Sequence, residues 1–196
     1  MKISNILSPS FQKKLMARCF VKKADKPEPC HIYELDKIDD RQYFRELKSK
    51  KGWNSAHYLN SVNMLFKNGS SNPNRLSYYV MEDSDDKCLG YCVLNNIDSD
   101  LSYLEVKPKC TAKHDKRPVK YVGETLITFL TELLEKRNES RFTVSCMANR
   151  ARDFYLEHCH FKPTDKYRTA ILSKNSFSEL EKQNIEHTGS QIDFVD

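Results

Sequence analysis

The segment from Ser102 to Pro163 limits the possible folds more than any other part of the chain. It reads SYLEVKP, then a basic loop ending in KYVGET, then an apolar helix, the strand RFTVSCM, and NRARDFYLEHCHF. A strand therefore feeds a cationic loop, and the loop opens a helix. Backbone N–H groups at a helix start are unpaired and point outward, and the helix dipole adds positive potential there. That arrangement binds phosphate. Gly123 stands at the junction, after the cationic run and before the helical stripe. Without a Cβ it lets the backbone come close to a ligand.

Hydrophobic spacing orders the rest. Ser8-Pro9 reads as an N-cap and first turn, followed by Phe11, Leu15 and Cys19 at helical spacing. Residues 22–29, KKADKPEP, read as a charged linker, and a strand begins at His31. Arg41 to Lys51 and His57 to Lys67 carry helical stripes, and Asn68 to Asn74 is a loop by composition. Leu76 to Met81, Cys88 to Asn95 and Leu101 to Lys107 form an antiparallel meander. Leu126, Ile127, Leu130, Leu133 and Leu134 mark a helix with one apolar face. A strand from Arg141 to Met147, a helix from Asn149 to His158 and a strand from Tyr167 to Leu172 follow. The expected division is an N-terminal helix and linker over 1–29, a main domain over 30–175, and an acidic, partly disordered tail over 176–196, in which Phe177 and Leu180 mark a short helix followed by disorder.

The 196 residues suffice for one sizeable core, and no apolar run approaches the roughly 20 residues that span a bilayer. Seven cysteines without a CxxC pair point to reduced thiols and a cytoplasmic setting. The net charge of +5 is concentrated in residues 107–121, where Lys107, Lys109, Lys113, Lys116, Arg117 and Lys120 stand against Asp115. Such a loop attracts the phosphates of a nucleotide cofactor or a nucleic acid, or is simply a solvated surface. Cys30-His31 and His158-Cys159-His160 lack the paired spacing of a zinc site, so no metal is expected. Neither Cys110 nor Cys146 has a His or Asp at a spacing that would activate it as a nucleophile.

The whole segment resembles the GNAT N-acetyltransferase superfamily, over about residues 31–173. The family's acyl-CoA loop, Arg/Gln-x-x-Gly-x-Gly/Ala, is matched by Lys120, Gly123 and Thr125. Leu104-Glu105-Val106-Lys107-Pro108 resembles the strand of its long-loop branch. Asn149, Ala151, Phe154-Tyr155 and His160-Phe161 follow the pattern of its fourth helix. His160 stands where the family has Gly, and His tolerates positive φ better than most residues. The resemblance implies an α+β fold with a mixed, mostly antiparallel central sheet and helices on both faces. It implies acetyl-CoA as co-substrate, transferred by direct attack to a primary amine of a small molecule, protein or peptide.

The same resemblance assigns roles. Val106, Lys107 and Pro108, the run Lys120, Tyr121, Val122, Gly123, Glu124 and Thr125, and Asn149 would hold the cofactor. Tyr155 would protonate the departing thiolate, against the alternative of a packing aromatic beside Phe154. Glu105 would take a proton from the amine, against the alternative of a surface residue paired with a lysine. On its strand it shares a face with Tyr103 and Lys107. Asn149 is equally suited to an N-cap. The competing function is a degenerate binding module that grips RNA or protein through the 107–121 loop, and a third is toxin-like acetylation of aminoacyl-tRNA. Nothing in the residues names the acceptor or the oligomeric state, and no membrane partner is expected.

Overall fold

The computed structural model describes residues 13–35, 43, 47, 53, 76–107, 117–145, 149–164 and 169–195. The expected helix from His57 to Lys67, most of that from Arg41 to Lys51, the loop from Asn68 to Asn74, the Ser8-Pro9 cap and residues 108–116 lie outside them. The strands are β1 (Lys13–Lys23), β2 (Lys26–Leu35), β3 (Leu76–Asp83), β4 (Cys88–Asn95), β5 (Asp100–Val106), β6 (Val119–Lys120), β7 (Arg141–Ser145), β8 (Lys162–Pro163), β9 (Thr169–Ser173) and β10 (Asp193–Phe194). The helices are α1 (Val122–Lys136), α2 (Asn149–Asp153), which continues as a π turn over Phe154–His158, and α3 (Phe177–Thr188). Among the described residues one sheet runs β10-β1-β2-β3-β4-β5-β7-β9-β8, with β6 on β1. Its pairs are antiparallel except β5 with β7.

The N-terminal region departs from the helix and linker expected for it. Residues 13–23 form a strand, because Ala17, Cys19 and Val21 alternate inward at period two while Arg18 and Lys22 point out. Ala24 and Asp25 close a two-residue hairpin with φ of 50° and 61°, and Lys23 faces Lys26. Two positive φ values match the turn twist that hairpins favour. Pro27 and Pro29 lie within β2, yet β3 meets β2 only from Cys30 onward. Both prolines therefore sit where one side of β2 needs no ladder donor.

The 76–107 meander forms as its period-two pattern implies, and alternation divides its side chains between two clusters. Tyr79, Met81, Cys92 and Leu94 face one way, with Leu126, Ile127, Leu130 and Leu134 of α1. Tyr78, Val80, Tyr91 and Val93 face the other, with the helical residues Tyr43 and Leu47. The sheet thus has helix on both faces. Gly90 decides how closely α1 can lie. A Cβ there would meet Val122 Cγ1 at 2.9 Å, the Glu105 carbonyl oxygen at 3.1 Å and Leu126 Cδ1 at 3.1 Å.

The tail forms the expected short helix, α3, and the strand β10 follows where disorder was expected. α3 buries Phe177 and Leu180 in the α1 cluster, and Gly189 ends it in the left-handed region. β10 then pairs Phe194 with Ala17 and Asp193 with Arg18. Phe194 stacks on Phe129 at 5.3 Å, and Lys136 Nζ lies 3.6 Å from its ring centre.

Two outcomes follow from this packing. Gly90→Ala should lower stability by about 1–3 kcal/mol, the usual cost of overpacking a filled core, measured by denaturant unfolding. The second concerns Glu132 on α1, whose Oε1 is buried without a hydrogen-bond partner among the described residues. Burial, then the neighbouring Glu181 carboxylate, push the Glu132 carboxyl from 4.5 up to about 7. Between those values the folded chain keeps a proton that the unfolded chain has released, so this group's stabilisation is lost as pH rises. Glu132→Gln should therefore gain Tm relative to wild type as pH is raised from about 5 to about 7.5. A Tm difference independent of pH would show that Glu132 titrates normally.

Candidate functional site

β5 and β7 run parallel, but their register holds only at Asp100 with Thr143 and Leu101 with Val144. Thr143 anchors this end, donating its N–H to the Ser99 carbonyl at 3.0 Å and its hydroxyl to Asp100 Oδ1 at 3.0 Å. Ser102–Val106 continue without a register partner on β7 among the described residues. The start of α1 stands at the far end of that stretch of β5. The contact is direct: a Cβ on Gly123 would lie 3.5 Å from Val106 Cγ1 and 3.1 Å from Phe154 Cζ. Gly123 thus accommodates the strand end and the π turn. Its freedom to take positive φ is not used here. That conformation falls on Tyr121 instead, with φ of 69°.

The helix start has no side-chain cap, and its first intrahelical bond runs from the Thr125 N–H to the Tyr121 carbonyl at 2.9 Å. The N–H groups of Val122, Gly123 and Glu124 precede that bond and are left for a ligand or water. The side chains of the run are bonded elsewhere. Val122 is buried against the sheet. The Glu124 carboxylate is buried and accepts from His187 Nδ1 at 2.8 Å and Gln183 Nε2 at 3.0 Å. Thr125 is buried and its hydroxyl accepts from Asn184 Nδ2 at 3.0 Å, so neither its side chain nor its N–H is open to a cofactor. Lys120 is held on β6 by pairing with Lys22, and its ammonium meets Asp25 Oδ1 at 2.5 Å. That contact, mainly a hydrogen bond from Lys120, holds the Asp25 carboxyl below its ordinary range.

Tyr121 stacks on His187, ring centres 4.4 Å apart. Lys22 Nζ and Arg117 Cζ approach its ring at 5.9 and 5.6 Å. These two cations stand beside the helix start, and Lys22 was not legible in sequence because β1 reaches this point only through its pairing with β6. Lys107 donates its N–H to the Leu89 carbonyl at 2.7 Å, which fixes the end of β5. Pro108 lies outside the described residues, and Asn149 begins α2.

The two candidate proton carriers lie on different faces of the sheet. Tyr155 is in the π turn, buried in the α1 cluster between the ring edges of Phe154 at 5.2 Å and Phe161 at 5.6 Å. Its carbonyl accepts from the Phe161 N–H at 3.0 Å across the left-handed His160, φ 58°. Glu105 points to the opposite face, where its Oε2 accepts from the Tyr91 hydroxyl at 2.6 Å and the Tyr103 hydroxyl at 3.4 Å. It therefore has tyrosyl partners rather than only the lysine considered as an alternative. Tyr91 and Tyr103 stack at 5.6 Å, and Trp53 lies 6.2 Å from Tyr91. Burial foremost raises the Tyr103 hydroxyl to about 12, with the Glu105 charge next, so it stays a donor to that carboxylate at neutral pH. β5 separates the two residues.

No family model and no curated protein matches the chain. Among solved structures it is similar to a chimera of spermidine N-acetyltransferase SpeG from Vibrio cholerae and hSSAT, with 14% identity over 76% of this chain and 98% of that one, and a TM-score of 0.50. A mutant SpeG from the same organism gives 14% identity over 76% of this chain and 95% of that one, TM-score 0.48. A KacTA–DNA complex gives 15% identity over 62% and 84%, TM-score 0.44. The first of these likenesses carries the fold: the chain has the mixed, mostly antiparallel sheet and flanking helices of the GNAT fold.

Proposed function

We propose that the chain is an acetyl-CoA-dependent N-acetyltransferase acting on a primary amine. One juxtaposition supports the reading. The Val106 end of β5 lies against Gly123, where the N–H groups of Val122, Gly123 and Glu124 open α1, and in this reading β5 and β7 splay beyond Leu101 and Val144 to leave a wedge that ends there. An extended arm lying in the wedge would place its phosphate end on those N–H groups, near Lys22 and Arg117. Acetyl-CoA supplies the thioester and the leaving thiolate. Glu105 takes a proton from the attacking amine, directly or through water, and Tyr155 Oη gives one to the departing sulfur. Carbon–nitrogen bond formation and carbon–sulfur cleavage then leave an amide and a free thiol. Holding both partners along one strand edge supplies much of the rate.

The acceptor is a primary amine of a small molecule, protein or peptide. The alternative, a degenerate module that binds RNA or protein through the 107–121 loop, is weaker because Lys120 in that loop is neutralised by Asp25.

Acetyl-CoA at about 100 times its Kd should stabilise the fold by about 2.7 kcal/mol. Thermal melting and calorimetry check this, and no shift with no heat at millimolar ligand would overturn the enzyme reading. Tyr155→Phe keeps the ring between Phe154 and Phe161 and removes only the hydroxyl. It should lower kcat about 10²–10⁴-fold while leaving acetyl-CoA affinity near wild type. An unchanged kcat, with chemistry limiting, would remove Tyr155 from the mechanism.

A further inference from the structure

Three residues of α3 hold the first turn of α1. His187 stacks on Tyr121 and bonds Glu124, Asn184 bonds Thr125, and Gln183 bonds Glu124. Only Gln183 also reaches the other half of the site. Its Nε2 donates to the Glu124 carboxylate at 3.0 Å and to the His158 carbonyl at 2.8 Å. Its Oε1 pairs with His160 Nε2 at 2.7 Å. The amide's two N–H groups and its oxygen are therefore all engaged, and the last contact makes His160 Nε2 the protonated nitrogen. His158 closes the π turn that carries Tyr155, and His160 is its left-handed exit. One amide thus joins the helix start to the turn that bears the candidate acid.

We propose that Gln183 is a positioning residue for acetyl transfer, fixing the α1 start and the Tyr155 turn relative to each other. This rests on the acetyltransferase reading given above. The geometry favours a coupling role over simple packing. Gln183 is only half-buried, whereas Leu180 and Phe177 supply the apolar anchor of the same helix. What Gln183 adds is direction: one hydrogen bond to the Glu124 carboxylate on α1, and two to the Tyr155 turn, at the His158 carbonyl and the His160 ring. A displacement of about 1 Å between groups that act on one substrate can cost a hundredfold in rate.

The test uses the full chain. Gln183→Met keeps length and bulk and removes all three bonds. Ile32→Val, at a fully buried site on β2 outside both segments, serves as a destabilised variant that leaves the Gln183 hydrogen bonds in place. Amide hydrogen exchange is read at 125–128, the first bonded amides of α1, and at 154–161, with Tm, kcat and KM for acetyl-CoA. Gln183→Met should speed exchange in both segments and lower kcat/KM about tenfold to a hundredfold, through kcat and KM together. Ile32→Val should leave both segments protected and kcat/KM unchanged below its Tm. Faster exchange in one segment alone, or the same kinetic loss in Ile32→Val, would overturn the proposal. If Gln183→Met fails to fold, His160→Asn keeps a residue tolerant of positive φ and releases Gln183 Oε1. Loosening confined to 154–161 in that variant also overturns the bridge. Should the wild type neither bind acetyl-CoA nor transfer acetyl, the functional reading fails, and hydrogen exchange still decides whether the two turns are joined.

Discussion

The distance between α1 and the sheet governs everything described at the start of α1. It is set at Gly90, where Val122, Leu126 and the Glu105 carbonyl leave no room for a side chain. Any outward shift of α1 would carry Gly123 away from Val106 and Phe154 and separate the helix start from the strand edge. A close-packed interior passes such a shift on to its neighbours rather than absorbing it. The exposed N–H groups of α1 are therefore positioned by apolar contacts at its opposite side.

The helix start also carries an electrostatic conflict. Glu124, in the first turn, is itself an anion near the positive end of the dipole, where an anionic ligand would also bind. Two anions at one helix end repel unless one is neutralised. Here the carboxylate is turned under the helix and shared between the His187 imidazole and the Gln183 amide. The N–H groups of the first turn are left to a ligand, while the acid is occupied on the α3 side. Lys22 and Arg117, both near Tyr121, add cationic charge at the same place.

Much of the sheet was legible because its elements follow simple periods. Leu76 to Asn95 alternate between two apolar clusters, and the α1 stripe of leucines admits one buried face. The N-terminal hairpin was hidden by its turn and its prolines. Ala24 and Asp25 hold positive φ without the Asn or Gly that normally signals it, and Pro27 and Pro29 read as linker until the reach of β3 is known. α3 was legible only as a short helix, because Phe177 and Leu180 are its few apolar anchors. Much of its buried contact is made by Asn184, Thr188, Gln183 and His187 through hydrogen bonds, which hydrophobic spacing cannot register. At the site, Gly123 lies in the first turn of α1, while its neighbours Glu124 and Thr125 face inward because partners 59 residues away receive them. Local sequence carries no record of such partners.

β1 illustrates what this long-range pairing means for a chain made from one end to the other. It joins β2 through a tight turn, a local event that needs only the first few dozen residues. Its remaining neighbours, β6 and β10, lie far downstream, and Arg18 meets Asp193 across 175 residues of sequence. During synthesis an early hairpin must wait with one edge uncovered until nearly the last residues emerge. The first turn of α1 waits as well, since His187 follows Glu124 by 63 residues. The order of manufacture thus makes a ribosome-bound nascent chain able to form most of the sheet well before it can set the helix start.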